Sequence, residues 1–371
     1  MIVYRRVRPE EMRACISLAD EVFQHKDFRT LIPKAYSPEH EQRAAHFAAF
    51  EGNQPVALVA ALENNLHVGD AMLKYGYIGT VCVHPAARKA GHMRKLLPMA
   101  LDALRESGCS LAMLNGARQR YGYFGFAPAG ASVSYGISEA NRKHALAVSP
   151  DRRICFAPLR QEQASEAWQL HARQPMRAER PVQDFLEILQ TYRRVAFSVS
   201  VNGNFAGYLA CNASLDTIDE LILADNALLQ ETLAAWMDAH APKGFHLTVP
   251  SWDFAKHQQL ALLAESSSIS SPQQMAIFDF PRVVSAFLTF KKRLLPLPEG
   301  TLSLSTGDQG FTASIQGGNV LVSETVAPDA LRFSIPNAVT ALFSPFAQSL
   351  LPHAPAGWLP IPFALPVADE F

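Results

Sequence analysis

The sequence lacks a charge excess of either sign. Its 371 residues include 33 Lys and Arg against 34 Asp and Glu, which gives a formal net charge of -1. General binding to nucleic acid needs a basic surplus or stripe that neutralises phosphates. The charge balance therefore predicts that nucleic acid is not a partner. The hydrophobic share of 49% is typical of a globular chain.

Long apolar runs are also missing. No uninterrupted apolar stretch reaches the roughly 18 residues that a membrane-spanning helix needs. The chain begins MIVYRRVRPEEM, which places arginines where a secretory signal would have its apolar core. We therefore expect a cytoplasmic protein without a membrane partner.

Cysteine is scarce, and its spacing does not suit a metal site. The five cysteines form no Cys-x-x-Cys pair; they are Cys15, Cys82, Cys109, Cys155 and Cys211. Zinc sites of that type need the close spacing, so we predict no metal. Reduced thiols are the simplest interpretation.

What the sequence does contain is one repeat of domain size. The segments around Gly52 and around Asn202-Gly203 each place a tight turn between two apolar runs, which is typical of a β-hairpin. The turns lie about 150 residues apart, which is too far for a solenoid unit. We interpret the segments as parts of two copies of one α/β domain, although two hairpins could resemble each other by chance.

The chain after about residue 280 has a different pattern. Alternating residues predict short strands over 302–305, 311–315 and 319–322, and a helix follows over 338–350. The last 20 residues contain five prolines, which exclude a helix there. A proline-rich end is often a frayed tail. Its many apolar side chains instead favour an extended segment that lies on another surface.

The clearest functional pattern lies in the first copy. Ile78 to Val83 is apolar and β-branched, which indicates a buried strand that ends before Pro85. Arg88-x-x-Gly91 then opens an amphipathic helix. The free N–H groups and dipole of a helix start attract anions, and glycine allows a phosphate to approach the backbone. The segment predicts a site for a phosphorylated cofactor, with an ordinary strand–turn–helix as the alternative.

The whole segment reads Val81-x-Val83-x-Pro85-x-x-Arg88-x-x-Gly91. In this form it resembles the acetyl-CoA signature of the GNAT acyltransferase superfamily. The resemblance implies that Val81, Cys82 and Val83 meet the pantetheine and thioester of acetyl-CoA. It also implies that a run of residues surrounds the phosphates, namely Arg88, Lys89, Ala90, Gly91, His92, Met93 and Arg94. Two residues depart from the pattern: Met93 replaces a small residue, and Pro98 should kink the helix.

A second motif follows, and it reads Arg120-Tyr-Gly-Tyr-Phe-Gly-Phe-Ala-Pro128. With the order of the segments, it resembles the Eis-like (enhanced intracellular survival) branch of the superfamily. That resemblance implies an α+β (α/β) chain of two tandem GNAT domains followed by a sterol-carrier-protein-like domain. The boundaries we expect are 1–145 for the acetyl-CoA-binding domain, 146–280 for a degenerate second domain and 281–371 for the last. The second copy has no Arg-x-x-Gly, so we expect no pyrophosphate site in it.

The resemblance also suggests the catalytic groups. In the Eis-like branch the chain's own C-terminal carboxylate enters the first domain's active site, which makes that of Phe371 the candidate base, directly or through water. A phenol with a reference pKa of about 10 can protonate a thiolate, and Tyr121 is the candidate acid. Its alternative role is a packed core tyrosine. Tyr123 is the rival, on the same face if the run is extended. Backbone N–H groups of residues 81–83 would polarise the thioester.

Several other polar residues have weaker roles. Asp369 and Glu370 adjoin the proposed base and could bind a polycationic substrate or simply keep the terminus soluble. For His84 a capping or surface role is expected, with a general base as the alternative. Cys82 has no His or cationic partner at a spacing that the sequence reveals, so we expect no acyl-enzyme.

Together these features predict an N-acetyltransferase that moves an acetyl group from acetyl-CoA directly to a primary amine. Candidate acceptors are an aminoglycoside, a polyamine or a Lys side chain. The alternatives are a CoA-binding pseudoenzyme and a carrier of apolar ligands, both without turnover. A homo-oligomer, specifically a hexamer, is implied by the resemblance alone.

Overall fold

The protein is described by a computed structural model over residues 1–24, 27–40, 43–146, 149–307 and 309–371. Contacts divide the chain into two compact units. Unit 1 comprises Met1–Ala129, Pro272–Ile361 and Glu370–Phe371. Unit 2 comprises Gly130–Ser271 and Pro362–Asp369. Unit 1 thus joins the first and last parts of the chain, and the three-domain boundaries at 145 and 280 stay a prediction.

Both units contain strands and helices. The strands are β1 Ile2–Arg6, β2 Ala44–Glu51, β3 Gln54–Val68, β4 Ala71–Val83, β5 Leu111–Asn115, β6 Ala127–Pro128, β7 Ser132–Ser138, β8 Ile154–Pro158, β9 Met176–Ala178, β10 Val195–Val201, β11 Asn204–Cys211, β12 Thr217–Leu223, β13 Gly244–Pro250, β14 Ser266–Ser270, β15 Gln273–Ile277, β16 Gly300–Ser305, β17 Gly310–Gln316, β18 Asn319–Ser323 and β19 Leu331–Arg332. The α-helices are α1 Met12–Phe23, α2 Phe28–Leu31, α3 Pro33–Tyr36, α4 His92–Glu106, α5 Arg118–Tyr121, α6 Glu139–His144, α7 Ala164–Ala172, α8 Phe185–Leu189, α9 Leu229–His240, α10 Phe254–Leu260, α11 Phe280–Leu294, α12 Ile335–Phe343 and α13 Ala347–Leu350.

The main sheet of unit 1 has the order β1-β2-β3-β4-β5-β15-β6. Neighbouring strands are antiparallel except for β4 and β5, which are parallel. The predicted hairpin is confirmed, because β2 and β3 meet at a turn where Gly52 has a φ of +59°. One face of the sheet is covered by α4, whose Leu96, Leu97 and Leu101 pack into one core cluster with Ile78.

The sheet of unit 2 has the order β14-β7-β13-β12-β11-β10-β8. It again contains one parallel pair, β12 with β13. The second predicted hairpin is confirmed, since β10 and β11 meet at Asn202 and Gly203, both with positive φ. Leu233 and Trp236 of α9 pack on this sheet. The two sheets therefore repeat one α/β plan, as the sequence predicts.

The last part of unit 1 forms a four-stranded sheet of order β18-β17-β16-β19. The three strands predicted for it are confirmed, and α11 packs against β17 and β18. The helix predicted over 338–350 is wrong in its continuity: α12 ends at Phe343 and α13 begins at Ala347. The interruption arises because Ser344 precedes Pro345, and a residue before proline is biased away from helical angles.

From Trp358 onward the proline-rich tail is buried or half-buried. Trp358 and Ile361 are buried within unit 1, and Phe363 and Leu365 are buried within unit 2. In unit 1 the ammonium group of Lys291 donates hydrogen bonds to the carbonyl oxygens of Trp358 and Pro360, at 3.1 and 2.6 Å. The prediction of an extended segment that lies on other surfaces is confirmed.

Candidate active site

The parallel strands β4 and β5 separate after only three residue pairs. These pairs join Tyr75–Tyr77 to Leu111–Met113, and the Tyr77 hydroxyl donates to Asn115 Oδ1 at 3.0 Å where β5 ends. Strand β4 continues to Val83 beyond this point. Residues 78–83 thus present a backbone edge that β5 does not cover, and such an edge can hydrogen-bond an extended ligand.

A cavity of about 650 Å³ opens beside this edge. It collects all but one of the residues that the sequence predicts for the cofactor, and these are Val81, Cys82, Val83, Arg88, Lys89, Gly91, His92, Met93 and Arg94. The exception, Ala90, lines a neighbouring groove. Sequence reasoning missed four lining residues, Val22, Phe23, Ala87 and Arg120. Of these only Arg120 carried a signal, because it begins the second motif.

The basic end of the cavity is a helix N-terminus. Gly91 is the N-cap of α4 with a φ of +79°, and it has no side chain to accept the first-turn N–H groups. Arg88, Lys89 and Arg94 line the same cavity, so donors and positive charge converge there. A Cβ at Gly91 would meet nothing within 4 Å. The positive φ favours glycine here, and the close approach of a phosphate stays a prediction.

The two departures from the family motif leave α4 in place. Pro98 lies inside α4, which nonetheless runs as one helix from His92 to Glu106. Met93 lines the cavity. The side chain of His92 is buried and its Nδ1 lies 2.9 Å from the Tyr4 hydroxyl, so the ring supports the helix start.

The two tyrosines of the second motif differ sharply in exposure. The run around them is not extended: Tyr121 ends α5, and Gly122–Phe124 form a 3-10 turn. Tyr121 and Tyr123 therefore do not lie on one strand face, which an extended run would have required. Tyr123 is 89% exposed, whereas Tyr121 is 8% exposed and packs edge-on against Phe126. Burial raises the pKa of Tyr121, so its phenol keeps its proton at neutral pH.

The terminal residue lies against β4. A Cβ added to Gly79 would fall 2.6 Å from a terminal carboxyl oxygen of Phe371, so only glycine fits at this position. The Phe371 ring stacks on Tyr36 with ring centres 5.9 Å apart. Sequence reasoning missed Gly79 and Tyr36. A glycine inside an apolar strand does signal a close approach, and that signal was available.

A short chain of hydrogen bonds continues from Tyr36. Its hydroxyl donates to Thr80 Oγ1 at 2.6 Å and lies 3.2 Å from His46 Nε2. All three side chains are buried. Burial lowers the pKa of His46 to about 4, so this imidazole is neutral at pH 7.

The two acidic residues before Phe371 are held by the chain itself. Within unit 2, Asp369 accepts two hydrogen bonds from Arg180, at 2.7 and 3.0 Å. Within unit 1, Glu370 accepts a hydrogen bond from Gln273 at 3.2 Å. Both are buried, which excludes the reading that they only keep an exposed terminus soluble. A role toward substrate stays a prediction.

The surroundings of His84 and Cys82 favour structural roles. The Nδ1 of His84 accepts from the Ala86 N–H at 3.2 Å, and this confirms the capping role. Cys82 is buried, and burial raises the pKa of its thiol to about 12. A thiol that holds its proton so firmly is a poor nucleophile, in agreement with direct transfer.

Comparison with known proteins identifies the domain that holds this site. Residues 3–129 match the family model described as an acetyltransferase (GNAT) domain. No curated protein matches the sequence. Similar solved structures include GCN5-related N-acetyltransferases from Kribbella flavida (14% identity, 100% of this chain and 98% of that chain, TM-score 0.71) and from Anabaena variabilis ATCC 29413 (16%, 95% and 93%, 0.68). Eis1 from Mycobacterium abscessus is 13% identical with a TM-score of 0.67, and each chain is covered over 100% of its length.

Residues 3–129 are therefore a GNAT acetyltransferase domain, and this domain supports an N-acetyltransferase activity of the protein. Acetyl-CoA, the acyl donor of that family, is its co-substrate. More particularly, the chain shares the Eis fold over its whole length, which confirms the fold that the sequence resemblance implied. Within the described ranges, no helix has the length and apolar character needed to cross a membrane. The sterol-carrier-like nature of the last part and the oligomeric state stay predictions.

Proposed function

We propose that this enzyme transfers the acetyl group directly to a primary amine, with Tyr121 as general acid and the terminal carboxylate of Phe371 as general base. One observation carries the proposal: the Phe371 carboxyl group lies against Gly79, on the strand whose open edge borders the cofactor cavity. A carboxylate there is placed to receive a proton from an amine that attacks beside β4.

Two groups of unit 1 account for the proton transfers of the reaction. As the new C–N bond forms, the Phe371 carboxylate accepts a proton from the attacking nitrogen. As the C–S bond breaks, the Tyr121 phenol donates its proton to the departing sulfur. Backbone N–H groups of residues 81–83 stabilise the charge that develops on the carbonyl oxygen. The cations at the α4 end supply binding energy for phosphates, remote from the reacting atoms.

The proposed mechanism suits more than one class of acceptor amine. We propose an aminoglycoside, a polyamine or a Lys side chain as the amine, in an enzyme that forms a homo-oligomer in the cytoplasm. The alternatives, a CoA-binding pseudoenzyme and a carrier of apolar ligands, predict binding without turnover. The carboxylate seated against Gly79 favours turnover, since binding alone does not need it.

The test is amine-dependent release of CoA from acetyl-CoA, measured with a panel of polyamines and aminoglycosides on N-terminally tagged protein. Removal of a general acid should lower kcat by roughly 10²-fold or more. We expect that loss for Tyr121→Phe and for a chain extended by one glycine after Phe371, with acetyl-CoA affinity retained in both.

Three outcomes would contradict the proposal. A loss of kcat in Tyr123→Phe but not in Tyr121→Phe would move the acid to Tyr123. Full activity of the extended chain would remove the terminal carboxylate from the mechanism. Binding of acetyl-CoA without release in any amine would favour the pseudoenzyme.

A further inference from the structure

Strand β4 contains a bulge at the site. Its register with β3 pairs Gly79 with Ala60 and Cys82 with Leu58. Thr80 and Val81 consequently stand opposite one residue of β3 and form no register pair within these two described strands. Such a bulge interrupts the ladder and frees backbone groups from it.

Thr80 has a backbone conformation that its side chain opposes. Its φ is +49°, in the left-handed region, and a β-branched residue rarely adopts that region. Glycine usually occupies the left-handed position of a bulge of this kind. A threonine remains there only if its surroundings hold it, and residues held in this way cluster at functional sites.

The hydrogen-bond chain from His46 supplies the restraint. Tyr36 gives its hydroxyl proton to Thr80 Oγ1 at 2.6 Å, and its oxygen lies 3.2 Å from His46 Nε2. The direction of the His46 contact depends on the tautomer of the imidazole, whereas the Tyr36 hydroxyl lies within hydrogen-bond distance of Thr80 Oγ1 for either tautomer. All three side chains are buried.

We propose that Tyr36 is a positioning residue: through its hydroxyl it holds Thr80 in the left-handed conformation, and this keeps the N–H groups of Thr80 and Val81 turned out of the ladder toward the thioester oxygen. The proposal rests on the proposed acetyl transfer at this edge of β4. It also explains why these N–H groups face the thioester oxygen, since their orientation depends on the Tyr36 side chain of α3.

Tyr36 has a second contact that must be separated from this role. Its ring stacks on Phe371, whereas its hydroxyl binds Thr80. The variant Tyr36→Phe keeps the ring and removes only the hydroxyl. We expect its kcat to fall roughly tenfold, a smaller loss than removal of a whole oxyanion donor, while the KM for acetyl-CoA changes less than about twofold.

A double-mutant cycle tests the restraint itself. Glycine reaches the left-handed region without the steric cost, so Thr80→Gly no longer needs the Tyr36 hydroxyl. Within the Thr80→Gly background, adding Tyr36→Phe should change kcat by less than about twofold. An equal loss in both backgrounds would overturn the proposal. Thr80→Val keeps the β-branch but loses the acceptor, and it should behave like Tyr36→Phe.

The matched control is another buried Tyr–His pair. In unit 2 the Tyr135 hydroxyl lies 2.8 Å from His257 Nδ1, and Tyr135 is 5% exposed. Tyr135→Phe should lower the unfolding midpoint about as much as Tyr36→Phe and leave kcat unchanged. If it lowers kcat equally, the effect of Tyr36→Phe is one of general stability.

A measurement without activity separates this proposal from the proposed function. A crystal structure of Tyr36→Phe should show Thr80 released from a positive φ, with the register of β3 and β4 changed around it. Retention of the positive φ would overturn the proposal, even in an active enzyme. If instead Tyr121→Phe and the extended chain remain fully active while Thr80 moves, the catalytic assignment fails and the restraint stands.

Discussion

At the scale of single residues, the site depends on where a side chain has no room. Gly79 and Gly116 are examples, since an added Cβ would fall 2.6 Å from Phe371 and 2.3 Å from the Tyr121 ring respectively. The sequence shows both glycines but not their neighbours, because the contacts join residues that are distant in the chain. The cofactor residues were predictable for the opposite reason: their chemistry is local to one strand and one helix start.

Gly79→Ala is the prediction that follows. The new methyl group must displace the Phe371 carboxyl group or the strand, so kcat should fall at least tenfold while acetyl-CoA still binds. Gly122→Ala is the control, because Gly122 has an ordinary φ of -58° and nothing within 4 Å of an added Cβ. Steady-state kinetics with acetyl-CoA titration measures both, and wild-type kcat in Gly79→Ala would show that the terminus is not seated there.

At the scale of elements, periodicity predicts the long, regular pieces and misses the short ones. Both hairpins and α4 follow directly from apolar spacing and turn residues. The helical turn of Tyr121–Phe124 could not be predicted in this way, because alternating glycine and aromatic residues suit either an extended run or a tight helical one. Nor does periodicity show the bulge at Thr80, which depends on a hydrogen bond from Tyr36.

The two ends of α4 offer a controlled test of the anion site. Gly91 and Gly108 flank the helix with φ of +79° and +85°, and an added Cβ meets nothing at either. Alanine at each should cost about 1 kcal/mol of stability through backbone strain. Only Gly91→Ala should also raise the KM for acetyl-CoA, several-fold, because it alters the N–H groups that face the phosphates. Equal KM values in the two variants would place the phosphates elsewhere.

At the scale of the whole molecule, the tail belongs to both units: Pro362–Asp369 are part of unit 2, and the last two residues are part of unit 1. No pattern in the sequence predicts that division, since it depends on contacts made far along the chain. In unit 2 the tail is held by charge. Arg180 is fully buried and binds both Glu220, at 2.9 and 3.0 Å, and Asp369.

The buried cluster of Arg180, Glu220 and Asp369 predicts which substitutions lower the unfolding free energy most. Arg180→Met leaves two carboxylates buried without their cation, and loss of a buried partner costs about 3–5 kcal/mol of unfolding free energy. Asp369→Asn leaves Arg180 balanced by Glu220, so it should cost clearly less. Urea unfolding measures both, with Arg142→Met as control because its pair with Asp238 is solvent-exposed and worth less than about 1 kcal/mol. If Asp369→Asn is as damaging as Arg180→Met, the tail is held by the Asp369 charge itself and not by the balance of the cluster.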